Sequence, residues 1–314
     1  MPSSSPPSRF LIAAAVAVAC AAFAARAEEF SWQLSGGMSR AEVADFSRDS
    51  WAVDGTFYVE PIDDASGPYE LASFLNPTTR VSAAASKVDA DVINDPAVYA
   101  LSGAFVLPGE KWYVGANYSK SVFDDPPYAT YSDSNGYGLS AGRYLGPHTT
   151  LELGLGRSEQ DVTFCTAFSS STGCFGPLIE IETTADSVDL EVFHVRRFRS
   201  LTYSLQGRVS EIDANLEVIS AAPGTFGDGG SSRRVYSIAT ELFPTQRLGV
   251  RVGYSQPDGE ADVDAYDVGA TWFFKPRVAI QFSLSRTNVD AEGPFIGLAT
   301  SHSDSAGVRF IGRL

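Results

Sequence analysis

Several groups of residues in this chain are of types that do chemistry. "DGEADVD" sets Asp258, Glu260, Asp262 and Asp264 at every second position. Four carboxylates on one side of an extended strand end could hold a hard divalent cation. A calcium loop of the helix–loop–helix kind, starting at Asp258, is excluded. Its sixth position is Val263, where the turn needs glycine, and its twelfth is Gly269, where a bidentate glutamate is needed. A solvated acidic loop is the simpler reading, and no metal or cofactor is expected. "GTFGDGGSS", 224–232, is glycine-rich but lacks the lysine and the strand-to-helix setting of a phosphate loop. It reads as a flexible loop. His148, His194 and His302 are the histidines available to a nucleophilic triad. His148 falls in a turn and His302 in a terminal loop. His194 shares the outward phase of Val188, Leu190 and Val192. None stands beside a serine on an inward face, which argues against a barrel lipid hydrolase or acyltransferase. Cys165 and Cys174 bracket the polar, flexible segment "CTAFSSSTGC". They are an even pair, expected to form a loop disulfide if the chain is exported.

Export is what the N-terminus indicates. Arg9 precedes the apolar run Phe10–Ala25, and Ala25-Arg26-Ala27 offers small residues for cleavage before Glu28. Residues 1–27 therefore read as a secretory signal peptide. Cys20 hints at a lipoprotein, but Ala17 stands where leucine is usual. Removing Arg9 and Arg26 leaves 21 basic against 38 acidic side chains. So acidic a chain is a poor nucleic-acid binder. Aromatic and β-branched residues are too plentiful for disorder. No later stretch is apolar enough for a membrane helix.

The elements that would position these residues are strands. "LTYSLQGRVS" places Leu201, Tyr203, Leu205 and Val209 on one face, with Gln206, Arg208 and Ser210 on the other. "VAIQFSLS" and "LGVRVGYS" alternate in the same way. Fourteen strand candidates follow from this pattern, beginning with 29–36 and 49–60 and ending with 303–314. Tight connections fall at 108, 146, 197, 244 and 276. Between them lie longer polar ones: 122–134, 160–179, 212–232, 257–262 and 289–302. A soluble sandwich also alternates, but it has no reason to keep short and long connections in strict rotation. A transmembrane barrel does, with short periplasmic turns and long extracellular loops. The expectation is an all-β, antiparallel transmembrane β-barrel of about 14 strands (12–16) over residues 28–314. Its edges must close, because lipid offers unpaired backbone no partner. Trp112, Phe243, Trp272 and Phe274 lie next to the tight turns and are read as an interfacial girdle. The last strand carries Val308, Phe310 and Leu314 on one face, and Gly312 interrupts it. That end is an imperfect signal for barrel assembly machinery.

Inward phase assigns the charges of the lumen. The acids are Asp54, Glu60, Glu152, Asp189, Glu191, Glu241 and Asp267. The bases are Arg208, Arg251, Arg309 and Arg313. The surplus of acids implies a modest cation preference. The competing reading is that each arginine pairs with a carboxylate and braces the wall. The other inward residues are rich in Gly, Ser, Ala, Thr and Gln, which implies a narrow, wet lumen.

One stretch breaks the strand pattern. "IDDASGPYELASFLNPTTR", 62–80, contains a short helix candidate over 68–75, within a periplasmic turn at 61–79. Pro68 suits a first turn and Asn76-Pro77 ends it. Leu71, Phe74 and Leu75 share one face. So short a helix is not stable alone. It must lay that face on the rim of the barrel, either as a packed turn or as a partial gate at the mouth.

The same stretch carries a resemblance. "FYVEPIDDASGPYELASFLNPTTRVSAA", 57–84, resembles the N-terminal signature of the putative general bacterial porin family. The matching positions are Pro61, Ile62, Asp63, Gly67, Pro68, Phe74, Leu75, Val81 and Ser82. Tyr69-Glu70-Leu71 departs from the usual acidic, alanine-rich helix centre. The resemblance implies an outer-membrane barrel with a channel role and no catalytic residues. The reading is a porin-like channel for passive diffusion of small hydrophilic solutes or ions. Its surroundings would be outer-membrane lipid and lipopolysaccharide, and a monomer is favoured. The alternative is a non-conducting structural or surface-interaction barrel whose outer loops carry the function.

Overall fold

The computed structural model describes residues 29–314, apart from 44–45, 64–66, 91–95, 110, 124–130, 166–167, 170–172, 175–177, 221–228, 259–260 and 292–300. The proposed signal peptide lies outside the described residues. Fourteen described strands close into one antiparallel barrel. They are β1 (Glu29–Val43), β2 (Phe46–Asp63), β3 (Arg80–Ala90), β4 (Pro96–Val106), β5 (Trp112–Phe123), β6 (Tyr131–Tyr144) and β7 (Thr149–Cys165). The second half is β8 (Leu178–Phe198), β9 (Leu201–Ser220), β10 (Gly229–Thr245), β11 (Leu248–Asp258), β12 (Ala261–Lys275), β13 (Val278–Ala291) and β14 (Ser301–Arg313). Each strand pairs with its neighbours in sequence, and β1 closes on β14 with Gly37 opposite Arg309. Leu314 finishes the seam: its carbonyl accepts from the Ser31 and Trp32 N–H groups at 2.8 and 2.9 Å. No barrel strand is left with a bare edge, which is what a chain in hydrocarbon requires.

The strands are longer than alternation indicated. β1 runs to Val43 and β2 begins at Phe46, where the sequence pattern placed a break between 36 and 49. β8 has 21 residues and β9 has 20. About ten tilted residues suffice to cross a bilayer, so these strands rise well beyond it at the end opposite the chain termini. Residues 160–165 and 178–179 of the first long connection, and 212–220 and 229–232 of the second, expected as loop, are therefore wall.

The outer face shows where that membrane band stops. Phe57, Phe105, Trp112 and Trp272 point outward near the turn end. Six residues further along the same strands stand Trp51, Tyr99, Tyr118 and Tyr266. Six residues span about 20 Å of strand, close to the apolar band of such barrels. Immediately beyond, the outward residues become charged and pair across strands. Lys120 meets Asp133 at 3.7 Å, Arg234 meets Glu211 at 3.2 Å and Arg286 meets Asp304 at 2.6 Å. Water-facing ion pairs of this kind contribute little to stability. They mark solvent more than they stabilise. Phe243 does not join the girdle. It is on the inward phase of β10 and almost fully buried, because it packs on the helix described next.

The connection from β2 to β3 carries a 3-10 turn, Tyr69–Leu71, that runs into a single α-helical turn, α1 (Ala72–Leu75). Asn76 ends it: its side-chain amide donates to the carbonyls of Ala72 and Asp63, both at 2.8 Å. The rim contact expected from the sequence is replaced by an inward one. Leu71 is buried against Val195 and Phe243, with Phe74, Leu75 and Phe193 around it. Ala72 joins Phe30, Tyr58 and Ile62. Tyr69 packs on the cluster of Phe273, Ala279 and Ile311. These wall residues belong to β1, β2, β8, β10, β12, β13 and β14, and they face the interior. The helix segment therefore lies inside the turn-end mouth and gathers the apolar clusters of the described residues around itself.

Candidate functional site

The candidate site is the inner wall above that helix. Its lining is hydroxyl-rich, and paired strands share hydrogen bonds: Ser39 with Ser50 at 2.6 Å, Thr56 with Ser82 at 2.9 Å, and Ser285 with Ser305 at 2.7 Å. Hydroxyls that serve one another leave the remaining lone pairs for water.

The predicted lumen charges fall on this wall in two groups. The first is paired. Arg208 Nη2 lies 2.9 Å from Asp189 Oδ1, and Arg251 Nε lies 3.3 Å from Asp267 Oδ2. Arg309 binds Asp54, and its Nε donates to Ser35 Oγ at 2.6 Å; that hydroxyl donates on to Asp54 Oδ1 at 2.6 Å. The first two pairs join adjacent strands, and Arg309 of β14 reaches Asp54 of β2 over the intervening β1; none of the three crosses the bore. The arginines stay about half exposed, so these pairs brace the wall only weakly.

Among the described residues, no cation is bonded to the second group. Glu152 and Glu191 stand directly opposite each other on β7 and β8. Glu152 accepts the Tyr113 hydroxyl at 2.6 Å, and Glu191 accepts the Gln206 amide at 3.1 Å. Neutral donors fix both side chains without cancelling either charge. With Asn117, Asp189 and Arg208 they line a recess of about 450 Å³. Glu60 is exposed at the turn-end mouth, where its backbone N–H donates to Thr78 Oγ1 at 3.1 Å. Glu241 meets the helix, facing Glu70.

Arg313 differs from its expected place in the open lumen. It is 2% exposed, stacked over Phe30 at 4.7 Å and Phe273 at 4.9 Å. Its Nε donates to Gln33 Oε1 at 3.0 Å and its Nη1 to the Tyr69 carbonyl at 2.6 Å. It clamps the helix and offers no free charge to a solute. Sequence reasoning missed Glu70 altogether. Thr271 Oγ1 donates to Glu70 Oε1 at 3.0 Å from a strand near the other end of the chain. The sequence signal for it was that an acid stands at Glu70, directly before Leu71 of the apolar face.

Other candidates lie elsewhere. His194 Nδ1 and Thr149 Oγ1 are 2.8 Å apart on the outer face, away from any inward serine. Asp264, also on the outer face, accepts the Asn288 amide at 3.3 Å. Glu260 and most of the 224–232 loop lie outside the described residues, as do the side chains of Asp262, Cys165 and Cys174.

A closed barrel with an outer apolar band, aromatic rings at both borders of it and a polar bore is an outer-membrane protein of the porin class. The model of the putative general bacterial porin family matches residues 9–296, and the chain belongs to that family. It resides in the cell outer membrane. Among solved structures it is similar to the Acinetobacter baumannii outer membrane protein Omp33, with TM-score 0.59 and 16% identity over 92% of this chain and 100% of that one. It is also similar to the CymD monoaromatic hydrocarbon channel, with TM-score 0.55 and 13% identity over 91% of this chain and 89% of that one. At those identities the likeness speaks for the fold alone. No curated protein matches the chain.

Proposed function

We propose that the protein is a diffusion channel for small hydrophilic solutes with a modest preference for cations, and that it does no covalent chemistry. The observation that carries this reading is the opposed pair Glu152 and Glu191. Three arginines of the wall are bonded to Asp54, Asp189 and Asp267. Glu152 and Glu191 are instead held by a phenol and an amide. Like charges directly opposite on neighbouring strands repel, and a passing cation relieves that repulsion. An anion meets it undiminished. The hydroxyl lining favours hydrated solutes over apolar ones. The loop disulfide, Cys165–Cys174, belongs to the same proposal, as do a monomeric state, contact with lipopolysaccharide and insertion by the barrel assembly machinery. The sense of insertion is proposed too, with the termini and the 61–79 turn in the periplasm and the long connections outside.

Swelling of liposomes that contain the refolded protein tests the reading. Lysine is expected to enter faster than a neutral sugar of similar size, and glutamate slower. Equal entry of lysine and glutamate would remove the cation preference. No entry of any solute at any pH would favour a non-conducting barrel that acts through its outer loops.

A further inference from the structure

The helix in the mouth is held by contacts of opposite character. Leu71 and Tyr69 bind it through apolar burial, and Tyr69 N–H donates to the Gln246 carbonyl at 3.0 Å. Between them, Glu70 is pressed toward another acid. Glu70 Oε2 is buried, and no donor among the described residues reaches it. What faces it is the Glu241 carboxyl. Gly249 shows how closely they crowd: a Cβ built there would lie 2.5 Å from Glu241 Oε1 and 2.7 Å from Glu70 Oε2.

Two carboxylates have no hydrogen to share. A bond between them exists only if one carries a proton. We propose that Glu70 and Glu241 form a proton-dependent latch, which holds the 69–75 helix in the mouth and lets it go when the shared proton is lost. The inference rests on the channel reading above and adds a regulatory device to it.

The charged groups around the pair are few. Arg251 stands opposite Glu241 on β11, but its Nε is bonded to Asp267 of β12. Arg313 of β14 is bonded to the Tyr69 carbonyl, one residue away. Thr271 of β12 serves Glu70 Oε1 with a neutral hydroxyl. The strands that hold the rest of the helix present Phe30, Tyr58, Tyr144, Phe193 and Val195. No described cation is therefore bonded to either carboxyl. The crowding of the two carboxyls favours a proton between them in the docked helix, and their separation removes that need. Linkage fixes the sign: acid favours the docked helix, and rising pH favours its release as the proton passes to water.

The test has two readouts on the full-length mature chain in bilayers. The first is maleimide labelling of an Ala72→Cys variant, which leaves Leu71 in place at a buried position of the same helix, with Cys165 and Cys174 replaced by serine. The second is single-channel conductance. Each is followed from mildly acidic to alkaline pH, with and without Glu70→Gln. The glutamine amide can donate to Glu241 with no titratable proton, and it is nearly isosteric. Labelling and conductance are expected to rise severalfold with pH when Glu70 is present, and to stay low across the range with Glu70→Gln. The Glu70→Gln comparison also cancels the thiol's own dependence on pH. The same pH response with and without Glu70→Gln would overturn the latch, whatever the conductance. Labelling that follows pH in a barrel that never conducts would uphold the latch and overturn the channel reading alone.

Discussion

Arg313 Nη1 donates to the backbone carbonyl of Tyr69 at 2.6 Å, so the end of the last strand holds the helix that follows the second strand. Two aromatic rings sandwich the guanidinium, and Gln33 takes its Nε. Arg313→Met keeps the stem and loses these hydrogen bonds. A bond to a charged group is worth about 1.5–3 kcal/mol, and the helix is expected to loosen by about that amount. Faster hydrogen exchange at the amides of Tyr69 and Leu71 measures it, while the amides of the β7–β8 ladder stay protected. Unchanged exchange at Tyr69 would show that the clamp is not what holds the segment.

Leu71 carries the apolar side of the same docking. Leu71→Ala opens a cavity between Val195 and Phe243, at a cost of about 2–5 kcal/mol. The residue lies outside every barrel ladder, so the barrel itself is expected to survive. Heat-modifiable gel migration should be unchanged while conductance rises. Loss of the folded band would mean that the helix is needed to build the barrel rather than to fill its mouth.

The double variant Glu152→Gln, Glu191→Gln removes two negative charges and keeps the shapes that Tyr113 and Gln206 hold. Cation preference, read as reversal potential in a salt gradient, is expected to fall toward zero. Wild-type preference should fade with ionic strength as well, since screening shortens from about 10 Å at 0.1 M to about 3 Å at 1 M. A double variant that keeps its full preference would place the selective charges elsewhere.

Cys165 closes the ladder of β7 opposite Leu178, and Cys174 pairs in backbone register with Phe168 in a short two-stranded connection. The disulfide predicted from the sequence would staple that connection. Intact mass of the folded protein is expected two hydrogens below the reduced mass, with both thiols silent to maleimide until reductant is added. Free thiols in the untreated protein would dismiss the staple.

The strand count and the inward phase were legible because each membrane-crossing strand has lipid on one face and water on the other. Leu151, Leu153 and Leu155 alternate with Glu152, Gly154 and Gly156 for that reason. The same physics hid the strand extensions. Beyond the upper aromatic ring both faces meet water, and segments such as 157–163 and 211–217 lose their alternation, although their ladders continue. Phe243 was legible and misread. It shares the inward phase of Glu241, but its closeness to a turn suggested a girdle position. Glu70 was beyond reach, because its partners Glu241 and Thr271 meet it only once the barrel closes.

The most direct test is single-channel recording of residues 28–314 in a planar bilayer with a salt gradient, beside the variant Leu71→Ser, Phe74→Ser. The account predicts discrete steps, a reversal potential on the cation side, and larger or more frequent steps once the helix loses its apolar hold. A barrel that inserts, migrates as a folded, heat-modifiable species and conducts in neither form would contradict it.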